Sequence, residues 1–147
     1  MAFEEIEKHI ANRADCRRGI GASEVDIDLA ESNLGVSFGP GLRRFLRRFG
    51  WLEVGPDEYY GLGSDVPNHM SLLLITASER TVMNPRLRHS LVPVMNDGGG
   101  NLYCVDTARE QQVAPVVFWD HDLGADQDPE FVAASFEDWL LERLRLE

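Results

Sequence analysis

Basic charge is scarce in this chain, and almost none of it is lysine. Lys8 stands alone beside 13 arginines, against 25 acidic residues, for a formal net charge of -11. A surplus of that sign repels phosphate backbones and anionic lipid, so nucleic acid and membrane surfaces are excluded as natural partners. It attracts a basic protein surface, and it also serves solubility. Cysteine is scarce too: Cys16 and Cys104 sit in unlike contexts. Two such residues make no disulfide framework and fit a reduced, cytoplasmic protein. Long apolar runs are missing, since Leu72–Ile75 falls far short of a membrane span. The opening MAFEEIEKHIANRADCRR is charged throughout and has no signal-peptide core. Repeats, linkers and low-complexity stretches are absent, so the 147 residues read as one domain, 1–147.

What is present is ordinary apolar content, 44%, in patterns that alternate between helix and strand. Phe3, Ile6 and Ile10 mark one face of a first helix. Ser23 with Asp26 resembles a capping box, Ile27, Ala30 and Leu34 share a face, and Gly35 is placed to end the helix. Val25, Ile27 and Leu29 also alternate as a strand would; the cap and the terminal glycine favour helix. Pro40 suits the first turn of the next helix, where Leu42, Phe45, Leu46 and Phe49 form the cleanest amphipathic face in the chain. Arg43, Arg44, Arg47 and Arg48 take the other side, as a solvated face or a basic patch.

Trp51–Val54 and Tyr59–Leu62 read as short strands around Gly55-Pro56-Asp57. Asp65-Val66-Pro67 opens a middle helix with Met70, Leu73, Leu74 and Ala77 on its buried face. Leu91–Met95 and Asn101–Val105 flank Asn96-Asp97-Gly98-Gly99-Gly100, a strong hairpin turn, and Pro115–Trp119 follows a polar loop. Asp126–Pro129 is a loop. Ser135 caps a last helix with Phe136, Trp139, Leu140 and Leu144 inward. The sum is an α+β fold: an antiparallel sheet of about five or six strands packed with N-terminal helices, a middle helix and a C-terminal helix.

These segments, in this order, resemble the SUKH superfamily, which is named for the yeast Smi/Knr cell-wall regulators and contains many bacterial immunity proteins. The resemblance rests on Ile27…Leu34-Gly35-Val36…Pro40…Phe45-Leu46, on Tyr60-Gly61-Leu62-Gly63, and on Leu91-Val92-Pro93-Val94…Asp97-Gly98…Gly100-Asn101…Tyr103-Cys104…Asp106. Pro115–Asp120 and Phe136…Trp139-Leu140 complete it, so it runs over residues 23–141. Phe49-Gly50-Trp51 departs from the family's usual Asn-Gly-Gly. The resemblance implies a binding module without a catalytic set. It implies either an immunity protein that neutralises a cognate toxin of nuclease or deaminase type, or a regulatory adaptor for an endogenous protein.

No residues call for a cofactor, a metal or catalysis. On an extended strand Asp120 and Asp122 share a face and His121 points away, so the three do not converge as metal ligands. Cys104 with His121 would be a thiol and a base for a small hydrolase, but Cys104 sits mid-strand among apolar neighbours as an inert core residue. The candidate partner-binding residues are acidic and aromatic. Asp120, Asp122, Asp126 and Asp128 crowd one loop, Asp57, Glu58 and Asp65 lie near other strand ends, and Trp51, Tyr59 and Trp119 are candidate anchors. The expected partner is a toxin with a basic surface, bound by a monomer or weak dimer.

Overall fold

A computed structural model describes residues 2–108 and 113–146. Part of the polar loop before the third strand of the expected sheet, 109–112, lies outside the described residues. The first helix, α1 (Ala2–Ala11), buries Phe3, Ile6 and Ile10. The second, α2 (Glu24–Leu34), begins where Ser23 Oγ accepts the Asp26 N–H and ends at Gly35, whose φ of 68° is left-handed. The third, α3 (Pro40–Arg48), buries Leu42, Phe45 and Leu46, with Arg47 and Arg48 in its last turn. Its outer arginines are not a free basic patch: Arg43 pairs with Glu24, Asp28 and Glu31, Arg47 with Glu24 and Arg48 with Glu7.

Among the described residues seven strands form two antiparallel sheets, where a single sheet of about five or six was expected from hydrophobic alternation. The smaller sheet orders β1 (Cys16–Arg18), β2 (Leu52–Val54) and β3 (Asp57–Tyr59). The larger orders β4 (Leu91–Asn96), β5 (Leu102–Asp106), β6 (Val116–Trp119) and β7 (Glu130–Ala133). The two additional strands, β1 and β7, are sheet edges with mostly exposed side chains. An edge strand buries neither face fully, so it carries no apolar alternation to read. The sheets meet where the Tyr60 N–H donates to the Val94 carbonyl, 2.9 Å away.

Two glycines let the chain leaving β3 pass close to the turn after α3. A Cβ on Gly61 would lie 1.6 Å from the Gly50 carbonyl oxygen, and the same oxygen accepts the Leu62 N–H. Only a residue without a side chain allows the two backbones so close.

The middle helix, α4 (Leu72–Thr81), follows a 3₁₀ turn at Asn68–Met70 and is capped by Ser71, whose Oγ accepts the Leu74 N–H. Its buried face differs from the expected one. Leu72 and Thr76 face inward with Met70, whereas Leu74 is exposed and Leu73 half-buried. The run Leu72–Ile75 is apolar on every side of the helix, so it sets no phase. The last helix, α5 (Phe136–Leu146), buries Phe136, Trp139, Leu140, Leu141 and Leu144 and packs on α1. Ser135 Oγ accepts the Asp138 N–H.

Both faces of the larger sheet are covered near its centre. Val92, Val94, Val105 and Val116 join the main core with α3 and α5. Leu91, Leu102, Cys104, Val117 and Trp119 form a second cluster with Leu87. Burial on both faces explains the unbroken apolar runs of β4 and β6. Among the described residues no helix is long and apolar enough to cross a membrane.

Candidate protein-binding surface

The ten candidate residues divide into those consumed by the fold and those left to solvent. The three aromatics belong to the interior. Trp51 is 5% exposed, and its indole N–H donates to Asp65 Oδ1 at 3.2 Å. Tyr59 is fully buried with its ring edge-on to Trp139, centroids 5.7 Å apart. Trp119 sits in the second cluster at 1% exposure. Large rings at strand ends satisfy a core and an interface equally well in sequence, and here the core takes them.

Three of the acids are also spoken for. Asp57 pairs with Arg143 at 3.1 Å, and both side chains are mostly buried. Burial works against the Arg143 charge, but hydrogen bonds to Tyr59 and Asp57 outweigh it and hold that guanidinium above its ordinary pKa. Asp65 accepts the Ile20 N–H as well as the Trp51 indole. Glu58 faces His69 at 2.9 Å on the surface.

The remaining acids gather at one end of the larger sheet. The β4–β5 turn and the β6–β7 loop lie against each other there. The His121 N–H donates to Asn101 Oδ1 at 3.1 Å, and the Asn101 side-chain amide donates to Asp97 Oδ2 at 3.0 Å. Burial works against Asp97, but N–H groups of Gly99 and Asn101 and the Asn101 amide outweigh it and hold this carboxyl below the usual aspartate range. Gln127 braces the loop by donating to the Asp120 carbonyl and accepting its N–H. Asp122, Asp126, Asp128 and Glu130 project from it, all exposed. Among the described residues, Asp126, Asp128 and Glu130 make no ion pair.

Asp120, His121 and Asp122 depart from the expected alternation. The strand ends at Trp119 and the chain turns, so one ligand atom from each lies within 4.8 Å of the others. Asp120 Oδ1 already accepts the Asp122 N–H, and the His121 ring is held by Asn101 Oδ1 at 2.6 Å. Two of the three groups thus also shape the turn, while the Asp122 side chain is 83% exposed. A divalent cation would find its ligands here more readily than anywhere else among the described residues.

The cysteine reading is settled by burial. Cys104 is fully buried, and desolvation pushes its thiol pKa well above the ordinary value, the reverse of a reactive nucleophile. A groove of about 720 Å³ runs between α2 and the start of β4, lined by Asp28, Glu31, Ser37, His89 and Thr107 among others. Among the described residues no hydrogen bond links the His89 ring to a serine or a carboxylate, so no base is set beside a nucleophile there. A smaller groove lies between α5 and strands β5, β6 and β7 of the larger sheet. Tyr103, Phe118, Val132 and Trp139 line it, and sequence patterning did not single them out.

Fold and surface together define a small α+β module with an acidic end. A family model described as SMI1-KNR4 cell-wall, SUKH_6, matches residues 24–140, most of the chain. The chain belongs to this SMI1-KNR4 (SUKH) family. It is also similar in fold to a solved structure of a protein from Pseudomonas syringae pv. tomato, with a TM-score of 0.69 and 21% identity over 95% of this chain and 98% of that one. No curated protein matches the sequence.

Proposed function

We propose that this protein is a non-catalytic binding module whose partner is a basic protein, and that it serves as a cytoplasmic bacterial immunity protein for a cognate toxin of nuclease or deaminase type. One observation carries the reading. In a chain of net charge -11, Asp122, Asp126 and Asp128 on a braced loop, and Glu130 at the start of β7 beside them, stand exposed rather than folded into ion pairs with the protein's own arginines. Membership of the SUKH family supports a protein partner.

The mechanism is occlusion at one-to-one stoichiometry. A nuclease active site is basic because it holds phosphate, so an acidic surface is drawn to it and covers it. Charge speeds the encounter and selects against wrong partners, while apolar contact sets the lifetime of the complex. The binding residues proposed are the loop acids; Trp51, Tyr59 and Trp119 act from beneath, by holding the sheets that present them.

Co-expression with a toxin-like reading frame carried beside the gene is the test. Cells that survive the toxin only with this protein present support the reading, and unchanged killing contradicts it. A gene without such a neighbour favours a regulatory adaptor, in line with the cell-wall description of the family.

A further inference from the structure

One surface combines exposed apolar groups, aromatic rings and unpaired acids. Phe118 pairs with Tyr103 on one side and Glu130 on the other, so the three form a row across β5, β6 and β7 on one face of the sheet. The rings of Tyr103 and Phe118 meet edge to face at 5.3 Å, and Tyr103 also contacts Trp139 at 5.4 Å. Two adjoining hollows of about 200 and 270 Å³ share Tyr103 and Val132 along one groove flanked by Glu130 and Glu142. Val132 is 37% exposed, and Leu146 on the far wall 78%.

The charges in the groove are not balanced. Arg143 lines it, but that guanidinium is paired with Asp57 and lies 5.4 Å from the Tyr103 ring centre. Glu130 and Glu142 are exposed and make no ion pair among the described residues. The indole N–H of Trp139 is buried there without an acceptor, an unusual state for a tryptophan in a protein interior.

We propose that this groove is where the partner's anchor docks, and that the anchor is an arginine flanked by apolar residues on an extended segment. The aromatic row takes the flat guanidinium over its rings, as Tyr103 already does for Arg143. Glu130 and Glu142 meet its charge from the two rims, and Val132 and Leu146 cover its apolar neighbours. Arginine is favoured over lysine because the floor is aromatic and the acids are two. The inference rests on the reading of the protein as a binder of basic proteins and adds the place and the residue type.

The test is an NMR titration of the ¹⁵N-labelled full chain with acetyl-Leu-Arg-Leu-amide, beside the Leu-Gln-Leu peptide as control. The expected result is saturable movement of the Trp139 indole resonance and of the amides of Tyr103, Phe118, Val132 and Glu142. The Gln peptide moves none of them. Glu130→Gln and Glu142→Gln, both on exposed side chains that leave folding intact, each weaken binding about fivefold. No movement, equal movement with the Gln peptide, or affinity untouched by both variants overturns the groove. Movement confined to Asp122–Asp128 overturns it as well, yet leaves the acidic-loop reading standing. The same resonances moving with protein concentration alone identify a second copy as the occupant and refute the arginine anchor.

Discussion

Replacing Asp57 by asparagine separates a fold residue from a surface one. In the sequence Asp57 looks like part of an acidic rim; in the structure its carboxylate meets Arg143 at 3.1 Å, with side chains 17% and 26% exposed. The substitution keeps the shape and removes the charge, leaving Arg143 with the Tyr59 hydroxyl and the Tyr103 ring. Breaking a fully buried pair from one side costs about 3–5 kcal/mol, whereas an exposed pair is worth about 0–1 kcal/mol. Partial solvent access places this pair between them, at about 2 kcal/mol. For a domain of this size that is a fall in Tm of about 4–8 °C. The assay is urea and thermal unfolding followed by tryptophan fluorescence, on Asp57→Asn, Arg143→Met and the double variant. The double variant should recover about 1–2 kcal/mol relative to the sum of the singles, because no buried charge is then left alone. A Tm change under about 1 °C for Asp57→Asn, or strict additivity, would refute the assignment of Asp57 to the interior.

Three further outcomes follow from the same geometry. Burial raises the Glu79 carboxyl above its ordinary value of 4.5, so its protonated form is the one the fold prefers. Its contribution is therefore favourable at low pH and lost as the pH rises through the raised pKa. Glu79→Gln should be more stable than the parent at pH 7.5, with the gap closing toward pH 4, as read by Tm across that range. Cys16 should react with a thiol reagent in the native protein and Cys104 only after unfolding, since Cys16 is part-exposed and Cys104 fully buried; a fast second thiol would contradict the core placement. Gly61→Ala should cost about 3 kcal/mol or prevent folding, because its Cβ meets the Gly50 carbonyl oxygen; a stable, soluble variant with an unshifted urea midpoint would show that the chain after β3 does not pass against the turn after α3.

The interior of this protein is legible in its sequence where one face is buried and the other is wet. Leu42, Phe45 and Leu46 phase α3, and Ser23 and Gly35 bound α2 despite the competing alternation of Val25 and Leu29. Asn96–Gly100 marks the β4–β5 turn. Legibility fails where pairing with another strand, rather than pattern, decides the conformation. Arg17 and Arg18 look like the break after a helix and are an edge strand. Glu130–Ala133 carries no apolar alternation to read and is the outer strand of the larger sheet.

The surface was harder to read than the core. Its acidic character is plain from composition, and the loop acids Asp122, Asp126 and Asp128 lie in the open as expected. Asp57 and Asp65 are the same residue type and serve the interior, because an arginine from α5 and an indole happen to need them. Nothing local in the chain announces either contact. Trp51, Tyr59 and Trp119 fail as surface anchors for the same reason: the distant segments that cover them are brought there only by the finished fold.

The direct measurement is a calorimetric titration of the purified protein into the product of a toxin-like reading frame beside its gene, at 50 and 500 mM salt, with that product's activity followed in the same samples. Occlusion by an acidic surface gives a one-to-one end point, inhibition that stops at equimolar protein, and markedly weaker binding in high salt. Full inactivation of the toxin by a hundredth of an equivalent would mean turnover, and would contradict the view that this molecule works by covering its partner.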